Sequence, residues 1–132
     1  MSGLQHWLSR THILMGLLLL VFGAITAIEP SVMSIYGIAL EEPSARTAIR
    51  AIIGGGEIAL GLALVFGRRA GSSDRALNAF AALVFGCVGA VRLSSAAVEG
   101  ILTLSGQPFR EGMIELGLAV LCLVAARSSS RT

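Results

Sequence analysis

The sequence predicts an all-α protein, an integral-membrane four-helix bundle with both termini on the cytoplasmic side. Three observations lead there. The 132 residues are 55% hydrophobic and only 14% charged, with a mean hydropathy of +0.81, and a soluble domain of this size buries too little of its chain to hide so much apolar surface. The apolar residues fall into four long blocks, as a bilayer requires. The arginines gather on alternate connections, as the positive-inside rule expects of a chain that crosses four times.

The first block runs from Ile13 to Ile28. Arg10 precedes it and Ala27 lies near its end, features shared with a secretory signal, but it is expected to stay as the first span. The second runs from about Thr47 to Phe66, the third from about Leu77 to Val98 and the fourth from about Gly112 to Ala126. The fourth falls short of the roughly 20 residues needed to cross the hydrocarbon core, so it is expected to extend at one or both ends. No block alternates with period two, and Ala, Leu and Gly dominate, which argues against strands. Residues 1–132 read as one four-span domain.

The connection 29–46 is bracketed by Pro30 and Pro43, and Val32 to Leu40 is expected to lie as a short amphipathic turn at the interface. Residues 67–76 form a polar turn, and residues 99–111 hold the turn cluster Gly106, Gln107, Pro108. The N-terminus, the second connection and the tail carry Arg10, Arg68, Arg69, Arg75, Arg127 and Arg131, whereas the other connections carry Arg46 and Arg110. That asymmetry sets the orientation.

Small residues four apart let helix backbones approach in lipid. The second block carries Ala51, Gly55, Ala59, Ala63 and Gly67; the third carries Ala82, Gly86, Ala90 and Ser94; the first carries Gly16, Gly23 and Ala27. These stripes are expected to pack the bundle, with the second and third helices near its centre.

Five charged residues interrupt the apolar blocks: Arg50, Glu57, Arg92, Glu99 and Glu115. A charge near the bilayer centre costs about 3 kcal/mol on insertion scales, so these side chains are expected to face inward and pair, or to serve a function. Arg50 and Glu57 are seven residues apart, as are Arg92 and Glu99, so each pair shares a helix face. One reading is an internal ion-pair network that locks the bundle. The other is a polar pocket for a headgroup, quinone or small solute, with a proton relay through Glu57 as a variant. Glu57 is the sharpest candidate because no basic residue lies at its depth.

The remaining polar residues say less. His6 and His12 flank the start of the first span and read as surface or interfacial residues, as do Trp7 and Tyr36. Cys87 and Cys122 form no C-x-x-C pair and read as buried apolar residues. No metal-ligand set, phosphate loop or nucleophile motif is present. All ten basic residues are Arg, and the net charge of +2, without a basic run, offers nucleic acid no footprint.

Arg50-x-x-x-Gly54-Gly55 with Gly61, then Arg92-Leu93-Ser94, Glu99-Gly100, Pro108 and Glu115, resembles small bacterial four-helix membrane proteins of the DoxX/DoxD-like group. Within that group it is closest to a branch of unknown function. The resemblance implies a four-helix membrane bundle in the bacterial inner membrane. Some relatives are tied to quinone-linked sulfur oxidation or oxidative-stress complexes, but no residues here carry that chemistry over. The expected role is a non-catalytic accessory or assembly subunit, packed against a larger membrane complex and surrounded by lipid. The alternative is a stand-alone binding or transport protein using an Arg/Glu pocket. No cofactor is evident, although a bound lipid or quinone is compatible with such a pocket.

Overall fold

The computed structural model describes residues 3–129; Arg131 and the side chain of His6 lie outside the described residues. The elements are α1 (Gly3–Ser9), α2 (Thr11–Ile28), a 3₁₀ turn (Pro30–Tyr36), α3 (Pro43–Ile49), a π turn (Arg50–Gly55), α4 (Gly56–Phe66), α5 (Asp74–Val98) and α6 (Gln107–Ser128). The described residues contain no strand. Among the described residues three helices are long and apolar enough to cross a membrane: α2, the 24-residue run Pro43–Phe66, and α5.

Local chemistry sets the ends. Ser73 caps α5 by accepting a 3.2 Å bond from the Ala76 amide, and Asp74 in the first turn complements the helix dipole. Pro43 opens α3 and Pro108 opens α6, where a missing N–H costs nothing. At the far end of α5, Ile101 N–H bonds Ala96 O at 2.9 Å and Gly100 N–H bonds Ala97 O at 3.1 Å. This is a Schellman ending, and it needs the left-handed φ of 69° at Gly100. A 3₁₀ turn, Pro30–Tyr36, follows the first apolar block and overlaps the expected turn at 32–40 only in part. Glu29 caps it by accepting from Ser31 N–H at 3.2 Å. Hydrogen bonding from Ser31, aided by the positive charge of Arg50, holds the Glu29 carboxyl below the usual carboxylate range.

The chain divides into two compact units, one of residues 1–12 and 71–132, the other of residues 13–70. In the second unit α2 packs on α4 through glycine. A methyl placed on Gly61 would come within 2.7 Å of both Gly16 O and Leu20 Cγ; one on Gly23 would meet Gly54 O and Ile58 N at 2.8 Å; one on Gly54 would meet Ala27 N at 2.8 Å. Gly16 and Gly23 are seven apart, as are Gly54 and Gly61, so two helical turns separate the close approaches.

In the first unit α5 packs on α6. Leu77, Asn78, Ala81, Ala82, Phe85, Gly89 and Ala96 form the buried stripe of α5. They answer Gly112, Ala119, Cys122, Ala125 and Ala126 on α6. The fourth block does extend at both ends, to Gln107 and Ser128.

The small-residue stripes are placed unevenly. Ala82 is buried and Gly86 half-buried with Ala119 nearby, but Ala90 and Ser94 are exposed. Ala51, Gly55, Ala59 and Ala63 are exposed and Gly67 is half-buried. The face of this helix that meets α2 is instead Gly54, Glu57, Ile58 and Gly61.

Candidate functional site

Polar side chains collect in three places, two in the first unit and one in the second.

The strongest is a clamp between α5 and α6. Arg92 Nε donates to Glu115 Oε2 at 3.0 Å and to Oε1 at 3.2 Å, and Nη2 donates to Oε1 at 2.7 Å. Nη1 lies 2.9 Å from Glu111 Oε2. Gln107 Nε2 donates to Glu111 Oε1 at 2.9 Å. Gln107, Glu111 and Glu115 follow one another at four-residue spacing, so they share one face of α6. The guanidinium is therefore held by two carboxylates, one of them in the bidentate geometry that arginine favours. Gly89 and Gly112 let the helices come close enough, since a methyl on Gly89 would sit 3.0 Å from Gly112 O and 3.1 Å from Glu115 Cβ. Beside the clamp a shallow groove of about 440 Å³ runs along Cys87, Val88, Val91 and Arg92.

The second place is the α2–α4 face. Arg50 Nε donates to Ala27 O at 3.1 Å and Nη2 to Ile28 O at 3.5 Å. These are carbonyls of the last turn of α2, which a cation stabilises by hydrogen bonding and by its charge against the dipole. Glu57 opens α4 beside Gly23. Its Oε2 is excluded from solvent and has no hydrogen-bond partner among the described residues.

The third lies where α1 breaks from α2. The Ser9 carbonyl accepts from Asn78 Nδ2 at 2.8 Å, and His12 Nδ1 lies 3.1 Å from the same oxygen. Asn78 and His12 are both fully buried. Asp74 Oδ1 lies 3.8 Å from His12 Nε2. Replacing Asn78 with leucine is expected to cost about 2 kcal/mol, because a buried carbonyl loses its shortest donor. Thermal unfolding in detergent, followed by circular dichroism, checks this.

Of the charges singled out by sequence, Arg92 and Glu115 are brought together. Arg50 and Glu57 both turn toward α2 but make separate contacts. Glu99 stands exposed at the C-cap of α5. Sequence reasoning missed Glu111 and Gln107, which it assigned to a turn. It also missed Asn78, and it set His12 among surface residues. Cys122 is buried and Cys87 exposed. Among the described residues no three His, Cys, Asp or Glu side chains converge as metal ligands would.

Residues 9–127 match the family described as a domain of unknown function (DUF4345). No curated protein and no solved structure matches the chain.

Proposed function

The chain belongs to the family described as a domain of unknown function (DUF4345), and from that premise we propose a non-catalytic, four-span protein of the bacterial inner membrane, an accessory or assembly subunit packed against a larger membrane complex. The observation that carries this reading is that both intramembrane arginines are already engaged within the chain. Arg92 is held by Glu111 and Glu115, and Arg50 by the α2 carbonyls. Each guanidinium is spent on partners within the chain, so the two act as fasteners between neighbouring helices.

In this reading α2, the run Pro43–Phe66, α5 and α6 are the four spans. α6 has 22 residues, about 33 Å of helix, enough to cross. Its carboxylates Glu111 and Glu115 are those that meet Arg92. The arginine asymmetry puts both termini in the cytoplasm, and the likeness to DoxX/DoxD-like bundles belongs to the same proposal. Apolar side chains such as Phe22, Ile52, Leu83 and Ile114 are exposed and would face lipid or the partner.

Glu57 favours a second reading, a stand-alone binder of a lipid, quinone or small solute. Its Oε2, shut from solvent and without a hydrogen-bond partner among the described residues, is a group able to meet a ligand's donor. Extraction from the native membrane in gentle detergent, followed by native mass spectrometry, is expected to give a fixed-stoichiometry complex with larger membrane proteins. A lone chain or homo-oligomer retaining a small molecule, lost when Glu57 is changed to Gln, would replace the first reading with the second.

A further inference from the structure

α1 is fastened to one end of the α5–α6 pair. Its last residue, Ser9, is buried, and the Ser9 carbonyl accepts from Asn78 Nδ2 at 2.8 Å. His12, the second residue of α2, is fully buried, with Nε2 3.8 Å from Asp74 Oδ1 in the first turn of α5. α1 packs on α6 as well as on α5. A helix of seven residues does not hold its shape in water by itself, so these contacts set its place. They leave Trp7 79% exposed, and Arg10 is exposed beside the buried Ser9.

Two further arginines stand at the same end. Arg75, next to Asp74, is exposed. α5 and α6 run antiparallel, since Arg92 meets Glu115 while Gly86, earlier in α5, lies by Ala119, later in α6. The start of α5 therefore lies beside the last turn of α6, where Arg127 is exposed. Asp74, the acidic residue of the first turn of α5, is drawn toward His12. Among the described residues of this unit, the exposed charges at this end are thus all arginine, whereas the far end exposes both Glu99 and Arg110.

We propose that this end is a docking surface for anionic phospholipid: Trp7 enters the headgroup layer, and Arg10 and Arg75, with Arg127 beside them, hold lipid phosphates around it. The surface rests on the reading of α5 and α6 as membrane spans, which puts their ends at the bilayer surface. Tryptophan settles at that depth because its ring is apolar and its N–H polar. The guanidinium fork matches phosphate oxygens, and basic residues gathered beside an embedded helix attract anionic lipid. The accessory role is thereby given a lipid class and a face that binds it.

Trp7 is the sole tryptophan of the chain, so its emission reports this surface directly. The full chain is reconstituted in vesicles of phosphatidylcholine and phosphatidylglycerol at equal mole fraction, with one lipid or the other brominated on its acyl chains. Quenching of Trp7 by brominated phosphatidylglycerol is expected to exceed that by brominated phosphatidylcholine about twofold, and the excess should shrink as salt is added. Arg10→Gln with Arg75→Gln removes the excess. Arg46→Gln with Arg110→Gln, an equal change of charge elsewhere, keeps it. Equal quenching by the two lipids in the parent chain overturns the proposal and leaves the arginines to an acidic protein partner. An excess indifferent to salt, or one lost equally in both double variants, also overturns it. Carbonate extraction separates the two claims. A chain that stays in the vesicles while Trp7 shows no preference refutes the surface alone, whereas a chain released from them refutes the spanning reading and the surface with it.

Discussion

Changing Arg92 to methionine is expected to destabilise the protein by about 3 kcal/mol, the scale seen when one partner of a partly desolvated ion pair is removed. The loss exceeds that of a surface bridge because two carboxylates are stranded: Glu115 gives up three hydrogen bonds and Glu111 its 2.9 Å contact. Single substitutions of the acids separate their shares. Glu115→Gln should cost more than Glu111→Gln, since Glu115 grips Nε and Nη2 together while Glu111 keeps its bond from Gln107. Both acids replaced together with Arg92→Met should recover part of the loss, because no charge is then left unpaired. Reversible unfolding in mixed micelles, analysed as a double-mutant cycle, checks the order. Equal effects of the two Gln variants would show that the bidentate geometry contributes nothing beyond net charge.

The second large effect is expected at Gly61. Alanine there places a methyl 2.7 Å from Gly16 O and Leu20 Cγ, with Leu20 N at 2.9 Å. A leucine rotamer can yield, but two backbones cannot, so α2 and α4 must move apart. Overpacking of this kind costs about 1–3 kcal/mol, against a gain of under about 1 kcal/mol from alanine's helix propensity. Gly23→Ala and Gly54→Ala should behave alike. Gly56→Ala meets open space and should be neutral or mildly stabilising. The same unfolding assay ranks the four, and a Gly61→Ala protein as stable as the parent would mean that α2 and α4 do not approach as closely as described.

Much of the secondary structure was legible because apolar length is a strong signal: four blocks became α2, the Pro43–Phe66 run, α5 and α6. The Arg92–Glu115 contact was also within reach, as two charges that lipid would force inward. Other features were hidden for identifiable reasons. Ala51–Gly67 and Gly54–Gly61 are both small-residue faces of one helix, and composition alone cannot choose between them. The usable clue was the matching seven-residue spacing of Gly16 and Gly23. Glu111 was lost because it precedes Gly112, where the apolar run begins; its four-residue spacing from Gln107 and Glu115 was the signal that could have found it. Asn78 sat inside an apolar block as a lone polar residue, and the Ser9 carbonyl it meets lies where α1 gives way to α2, a break that apolar length does not mark. The π turn leaves no mark in residue type beyond the glycines at its exit.

The clamp also bears on how the protein reaches the bilayer. On the four-span reading, α6 leaving the ribosome alone would carry Arg110, Glu111 and Glu115 in its first three turns. Ionised residues of this kind penalise partitioning by up to about 3 kcal/mol each, least near a helix end. α5 emerges first and brings Arg92, which meets both carboxylates. The translocon would therefore receive α5 and α6 as a hairpin, released laterally as one body. The connection 99–106 would be the segment that crosses to the far side while the two helices are still partnered.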